Sequence, residues 1–281
     1  MTERYILLTG AAGGIGRATA IQLSRLGYTV LGGVLNHAEA AQLEGAQIPK
    51  LVPIVMDLQQ EPSIDAAMQA VRERIGSSGR LVGVANNAGV DHNAPLEVLS
   101  TAEIRQMVNV NFLGSLLTTR AALPLLRAGE SRVVFTGSAM GLLAAPLVTT
   151  YAATKWAIEG MSDALRLELR PLGIHVAVVE PGVVRTPMTV GLPQAAERMM
   201  QRTTAADQAR YRKALFKIVE LSTKPGAGVP PEKVAEAICH GLTAKNPRSR
   251  YRVGTDSKAA AVVRHLPDGL RDKMQRSLFS L

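Results

Sequence analysis

Tyr5-Ile6-Leu7-Leu8-Thr9-Gly10-Ala11-Ala12-Gly13-Gly14-Ile15-Gly16 joins a short apolar run to a glycine-rich turn. The run has the length and composition of a strand buried on both faces. Residues 18–26 follow with helical spacing and stop at Gly27, a C-capping glycine. Backbone that turns tightly to approach a pyrophosphate needs glycine, and a helix N-terminus offers its free N–H groups to an anion. Gly10, Gly14 and Gly16 fit that role because they lie between a strand and a helix. A dinucleotide is the first ligand this stretch suggests.

Outward from the turn, apolar strands at 29–34, 51–57, 81–86, 132–138 and 175–180 alternate with helices at 61–75, 101–126 and 150–170. A seventh, short strand is expected at 250–253. Alternation of this kind predicts an α/β fold, a single Rossmann-type doubly wound parallel sheet with helices on both faces. No linker divides the chain, so residues 1–281 are expected to form one domain. The Met- and Ala-rich stretch 187–230 breaks the alternation and is a candidate substrate lid within that domain.

The composition narrows the function class. The chain has 281 residues, 47% of them hydrophobic, enough for one large buried core. A mean hydropathy of +0.10 is that of a soluble globular protein. One cysteine, Cys239, permits no intrachain disulfide and fits a reducing, cytoplasmic setting. Met1-Thr2-Glu3-Arg4 leads straight into the first strand, and no long apolar run follows, so neither a signal peptide nor an integral membrane segment is expected. The net charge is +9, and the segment from Lys245 onward carries nine Lys/Arg against three Asp/Glu. These basic residues are interrupted by apolar ones and read as a solvated face. Docking of this region on a membrane surface is the sharper alternative. No nucleic-acid signature is present, and no metal site is expected.

The chemistry concentrates further along. Tyr151 and Lys155 are four residues apart, about one helical turn, so both project from one face of the 150–170 helix. An ammonium beside a phenol favours the phenolate, which suits Tyr151 to proton transfer with a substrate oxygen. Ser138 stands thirteen residues upstream at a strand end. Asp57 closes the third strand, where a carboxylate can accept from an adenine amine. Asn86 and Asn87 close the fourth, where at least one is expected to be structural. The end of the second strand reads Val34-Leu35-Asn36-His37, with neither the carboxylate that holds the ribose of NAD nor the arginine that accepts the phosphate of NADP. No basic residue occupies Ala11, Ala12 or Gly13, which favours NAD and leaves NADP as the alternative.

Thr9-Gly10-x-x-x-Gly14-x-Gly16, Asp57, Asn86-Asn87-Ala88-Gly89, Asn111, Ser138, Tyr151-x-x-x-Lys155 and Pro181-Gly182 together resemble the short-chain dehydrogenase/reductase family. They fall in order and at family spacing from about residue 4 to about residue 254. Val30-Leu31-Gly32-Gly33-Val34-Leu35 and the segments 179–187 and 242–251 look like the retinol and 17β-hydroxysteroid dehydrogenase branch, which is also similar to 3-hydroxybutyrate dehydrogenase. The resemblance implies an NAD(P)-dependent oxidoreductase. Tyr151 would be its acid/base, Lys155 would lower the pKa of Tyr151 and hold the nicotinamide ribose, Ser138 would bond the substrate oxygen, and Asn111 would hold a water in the proton relay. Gly10, Gly14, Ile15, Gly16, Asp57, Leu58, Asn86, Asn87, Pro181, Val184 and Thr186 would complete the cofactor site with Tyr151 and Lys155. The resemblance also implies a homodimer or homotetramer paired through the helices at 101–126 and 150–170. Many members of the branch carry an N-terminal membrane anchor, which is not expected here.

Three segments are expected to line the substrate pocket. They are the apolar run 139–147, the loop after Gly89 with His92, and the lid with Met188, Leu192, Met199, Met200, Leu215 and Phe216. Methionines adapt to irregular apolar ligands. The small-molecule substrate is therefore expected to be a lipophilic secondary alcohol or ketone, steroid-, retinoid- or fatty-acyl-like. A small hydroxy acid is the alternative and would need a cation, for which Arg185, Arg198 and Arg202 are candidates. A non-catalytic dinucleotide-binding regulator is the remaining reading, and it would tolerate loss of Tyr151 or Lys155.

Overall fold

A computed structural model describes residues 2–127 and 129–280 of the chain. Seven strands form one sheet: β1 (Glu3–Thr9), β2 (Thr29–Val34), β3 (Leu51–Val55), β4 (Gly79–Asn86), β5 (Ser131–Thr136), β6 (Ile174–Pro181) and β7 (Arg250–Val253). Their order is β3-β2-β1-β4-β5-β6-β7, and every pairing is parallel. The chain runs outward from β1 through β2 to β3 and then crosses back to β4. The crevice between the C-terminal ends of β1 and β4 is therefore the switch point at which such sheets bind ligands.

Helices cover both faces. In chain order they are α1 (Gly14–Arg25), α2 (His37–Gly45), α3 (Glu61–Ile75), α4 (Thr101–Val108), α5 (Gly114–Leu126), α6 (Thr149–Leu169), α7 (Pro187–Val190), α8 (Leu192–Gln201), α9 (Ala205–Thr223), α10 (Pro231–Thr243), α11 (Thr255–Val263) and α12 (Asp268–Phe279). Side chains alternate across a strand, so Leu7 packs with Met68, Leu126 and Ile158 of α3, α5 and α6, while Ile6 and Leu8 pack with Leu23 and Ile238 of α1 and α10. Each fully buried side chain of this size contributes about 1.5–3 kcal/mol. Burial on both faces is why the strands read as continuous apolar runs.

The structure corrects several expected elements. Residues 101–126 do not form one α-helix: α4 and α5 are joined by a π-helical turn at Asn109–Leu113, which carries Asn111. Residues 37–45 form a helix that the sequence pattern did not indicate. It is capped by Asn36, whose side chain accepts from the Glu39 N–H at 3.0 Å. β3 and β5 stop at Val55 and Thr136, so Asp57 and Ser138 stand in the turns beyond their strands. The 187–230 stretch is mostly helical, as α7, α8 and α9. The basic C-terminal region folds as α11 and α12, with Phe279 buried. Among the described residues, no helix is long and apolar enough to cross a membrane.

Candidate active site

The glycine turn is shaped by backbone contact. Gly10 has φ +67°, and a Cβ there would lie 2.8 Å from Ala88 Cα. A Cβ on Gly16 would overlap the Gly10 carbonyl. One on Gly14 would lie 2.9 Å from Thr186 Cγ2, so the bare glycine brings the start of α1 against the turn after β6. Gly13 caps α1 without any side-chain bond to the first-turn N–H groups. A tight, bare turn ending in open helix N–H groups fits a pyrophosphate.

Asn87 welds this turn to the sheet. Its Nδ2 donates to Thr9 O at 3.2 Å and Gly10 O at 3.4 Å, and its Oδ1 accepts from Thr136 Oγ1 at 3.4 Å. The Asn86 Nδ2 donates to Thr119 of α5 at 2.9 Å. Both asparagine side chains hold the scaffold, in keeping with the structural role expected of at least one of them. Leu58 is buried in the core beneath Gly114, and Ile15, half-buried, packs against the cluster on the other face of the sheet. The Asp57 Oδ1 accepts from Gln59 N–H at 2.9 Å, and its other oxygen has no partner among the described residues. Pro181 ends β6, and Val184, buried, bridges to Val229. Thr186 starts α7 with its Oγ1 3.4 Å from that of Thr189.

Tyr151 and Lys155 lie one turn apart on α6, with the Lys155 Nζ 5.5 Å from the phenol ring centre. Lys155 is buried and donates to Thr136 O at 2.8 Å, which ties it to the end of β5. Ser138 opens a short 3-10 turn, and its Oγ accepts from Met140 N–H at 3.1 Å, leaving the O–H free to donate. The Asn111 Nδ2 donates to Val90 O at 2.8 Å and Thr154 Oγ1 at 3.2 Å, and its Oδ1 accepts from Val90 N–H at 2.8 Å. Both amide hydrogens are taken, so the Asn111 side chain can join a relay only as an acceptor.

Burial raises the Tyr151 phenol well above its ordinary range, the Asp91 charge raises it further, and the Ser138 hydroxyl opposes both. Burial lowers the Lys155 ammonium to about 8, against the Asp91 and Glu159 carboxylates. Desolvation, and not the charge of Lys155, dominates the phenol here. Asp91, which the sequence reading passed over, is the residue that changes the electrostatics here. It had no motif spacing to announce it, only its place two residues beyond Gly89.

The expected pocket lining divides. Met199, Met200 and Leu215 are buried in a cluster with Ala94, Leu99, Met107 and Leu147, and Tyr151 packs against it. Ala139 and Leu142 instead fill a separate cluster with Ala260 and Ala261 of α11. His92 Nε2 lies 2.9 Å from Gln106 Oε1. Arg202 pairs with Glu103 at 2.7 Å, and Arg185 donates to Gly228 O at 2.6 Å. Two of the three candidate cations are therefore engaged on α4 and on the 226–228 turn, and Arg198 is exposed on α8.

The chain matches the short chain dehydrogenase family over residues 4–197, and it belongs to that family. It is an oxidoreductase of the type that uses a nicotinamide dinucleotide. Its relatives place it in the retinol and 17β-hydroxysteroid dehydrogenase branch. It is 34% identical to 17-beta-hydroxysteroid dehydrogenase type 6 of Homo sapiens, over 97% of this chain and 87% of that protein. It is 33% identical to retinol dehydrogenase 5 of Mus musculus, over 92% and 82%. The crystal structure of a short-chain dehydrogenase from Streptomyces avermitilis superposes with a TM-score of 0.77 at 28% identity, covering 100% of this chain and 96% of that one.

Proposed function

We propose that this chain, taken as one catalytic unit over residues 1–281, interconverts a lipophilic secondary alcohol and its ketone with NAD, Tyr151 acting as acid/base. A nicotinamide dinucleotide, when bound, supplies the acceptor or donor of hydride. The glycine turn and the α1 N-terminus hold its pyrophosphate, the free Asp57 oxygen serves the adenine, and Pro181, Val184 and Thr186 flank the nicotinamide. In oxidation the Tyr151 oxygen takes the substrate hydroxyl proton, and in reduction it returns one. The Ser138 O–H holds the substrate oxygen, and the Lys155 ammonium stabilises the phenolate as it forms.

The observation that carries this reading is the convergence of Tyr151, Lys155 and Ser138 beside the buried Met199–Met200–Leu215 cluster. The apolar cluster supports a lipophilic substrate, with 187–230 as its lid. The Glu39 carboxylate supports NAD. It stands just past β2, where its Oε2 accepts from Leu35 N–H at 2.9 Å, and a carboxylate there repels the extra phosphate of NADP. Exposed Val108, Leu113 and Leu167 on the α4–α6 region support pairing of two copies. The single buried Cys239 supports a cytoplasmic setting.

Initial rates with NAD and NADP against secondary alcohols from hydroxybutyrate to steroids and retinol test the reading. Turnover of the lipophilic alcohols by the wild type and not by Tyr151→Phe is expected. Turnover of short hydroxy acids alone would overturn the substrate class. Intact dinucleotide binding without turnover on any alcohol or ketone would favour the regulator.

A further inference from the structure

The loop that follows Gly89 is fixed at both ends. The N–H and C=O of Val90 both bond the Asn111 amide at 2.8 Å. Ala94 N–H donates at 2.8 Å to the carbonyl of Leu147, a residue held at φ +64° just before α6. Between these anchors, His92 is tied to Gln106 of α4 at 2.9 Å. Asp91 sits inside the clamp, and its Oδ1 is buried with no hydrogen-bond partner among the described residues. A buried carboxylate oxygen without a donor opposes folding, so its retention on a rigid loop points to a donor that arrives from outside. The neighbouring Gly89 lies at the reacting end of the site. A Cβ on Gly89, two residues back, would lie 3.8 Å from the Lys155 Nζ and 3.4 Å from the Asn111 Oδ1.

Asp91 is electrostatically joined to the catalytic groups. Burial raises its carboxyl to about 6, while chiefly the charges of His92 and Lys155 oppose the rise. Its charge in turn raises both Tyr151 and Lys155. The groups that face it are therefore Lys155 and Tyr151 from α6 and His92 and Asn93 from its own loop. At neutral pH it sets a negative charge within reach of Tyr151 and Lys155.

We propose that Asp91 is a specificity-determining residue whose carboxylate accepts a hydrogen bond from a hydroxyl or ammonium group carried by the substrate next to the reacting carbon. This inference rests on the dehydrogenase reading above and narrows its substrate class to lipophilic alcohols or ketones bearing a neighbouring hydrogen-bond donor. A carboxylate at that place is repelled by Asp91. Of the candidate cations that could hold it, Arg185 and Arg202 are bonded elsewhere and Arg198 is exposed on α8.

The test is kcat/KM with NAD for the full chain on a matched series. The series is a long-chain secondary alcohol, the same alcohol with a vicinal hydroxyl, the same with a vicinal amine, and the same with a neighbouring carboxylate. The wild type is expected to prefer at least one donor-bearing substrate over the plain alcohol by about ten-fold or more, and the hydroxy acid least. Asp91→Asn keeps an acceptor but no charge, so it loses preference for the amine more than for the diol. Asp91→Ala loses both preferences and narrows the gap to the hydroxy acid. A tyrosinate absorbance titration of Asp91→Asn supplies a readout free of turnover: one tyrosine ionises at lower pH than in the wild type. A wild type without donor preference, or variants that keep its ranking, overturn the inference and leave the dehydrogenase standing. Rates on every substrate no higher than those of Tyr151→Phe overturn the dehydrogenase reading itself.

Discussion

The glycine turn at the end of β1 touches its neighbours with backbone, whereas the α8–α9 pair approaches Tyr151 with flexible side chains. In the first region a single added carbon at Gly10 or Gly16 runs into backbone and has nowhere to go, and Asn87 fastens the turn through Thr9, Gly10 and Thr136. In the second, Met199, Met200 and Leu215 pack in an apolar cluster, and the Arg202–Glu103 pair links α8 to α4. Backbone contacts are rigid and intolerant because no rotamer can relieve them, while thioethers and long alkyl chains repack. On the function proposed above, the difference separates a part that recognises one constant group from a part that can be tuned to a substrate.

Five substitutions break or sharpen this contrast. Tyr151→Phe removes one oxygen where the two regions meet, and turnover should fall by about 100- to 10,000-fold with dinucleotide affinity retained in a fluorescence titration. Gly16→Ala attacks the rigid part alone. It should cost about 3 kcal/mol in a denaturant melt and abolish dinucleotide binding, because its methyl overlaps the Gly10 carbonyl. Asn87→Ala keeps the turn's sterics and removes its fastening, with an expected loss of about 2 kcal/mol. Met199→Leu in the apolar cluster should change stability by less than about 1.5 kcal/mol while shifting KM among long-chain substrates. A loss as large as that of Gly16→Ala would erase the contrast.

The smallest effect concerns the ion pair. The Arg202 guanidinium holds the Glu103 carboxyl down at about 2, against an ordinary value of 4.5. A depressed acid stabilises the fold above its unfolded pKa and loses that contribution as pH falls from about 4.5 towards 2. Glu103→Gln should therefore cost about 1 kcal/mol at neutral pH, and its melting temperature should converge on that of the wild type over that acid window.

Much of the fold was legible because its signals are local. The strand that ends in Thr9-Gly10 reads as buried, and the Tyr151/Lys155 spacing reads as one helix face. The π turn at Asn109–Leu113 was not legible, since α and π windings share the same apolar spacing over so few residues. The helix at His37–Gly45 has almost no one-sided apolar pattern, and only the Asn36 cap and Glu39 announce it. Leu142 looked like pocket lining because apolarity does not say which cluster a side chain joins. Asn86 and Asn87 left open which was structural, because a polar residue at a strand end has the same sequence appearance whether it binds a cofactor or the next strand.

The sequence by itself determined the strand–turn–helix that opens the chain, the alternating α/β architecture and the family to which the chain belongs. These depend on periodicity and on residues close in sequence. Only the tertiary structure decided that Asn111 clamps Val90, that Arg185 and Arg202 are already bonded, and that Asp91 has a buried oxygen with no partner among the described residues, electrostatically joined to Tyr151 and Lys155. Charge and hydrogen-bond satisfaction are properties of neighbours in space, and burial weights them far more heavily than any spacing along the chain.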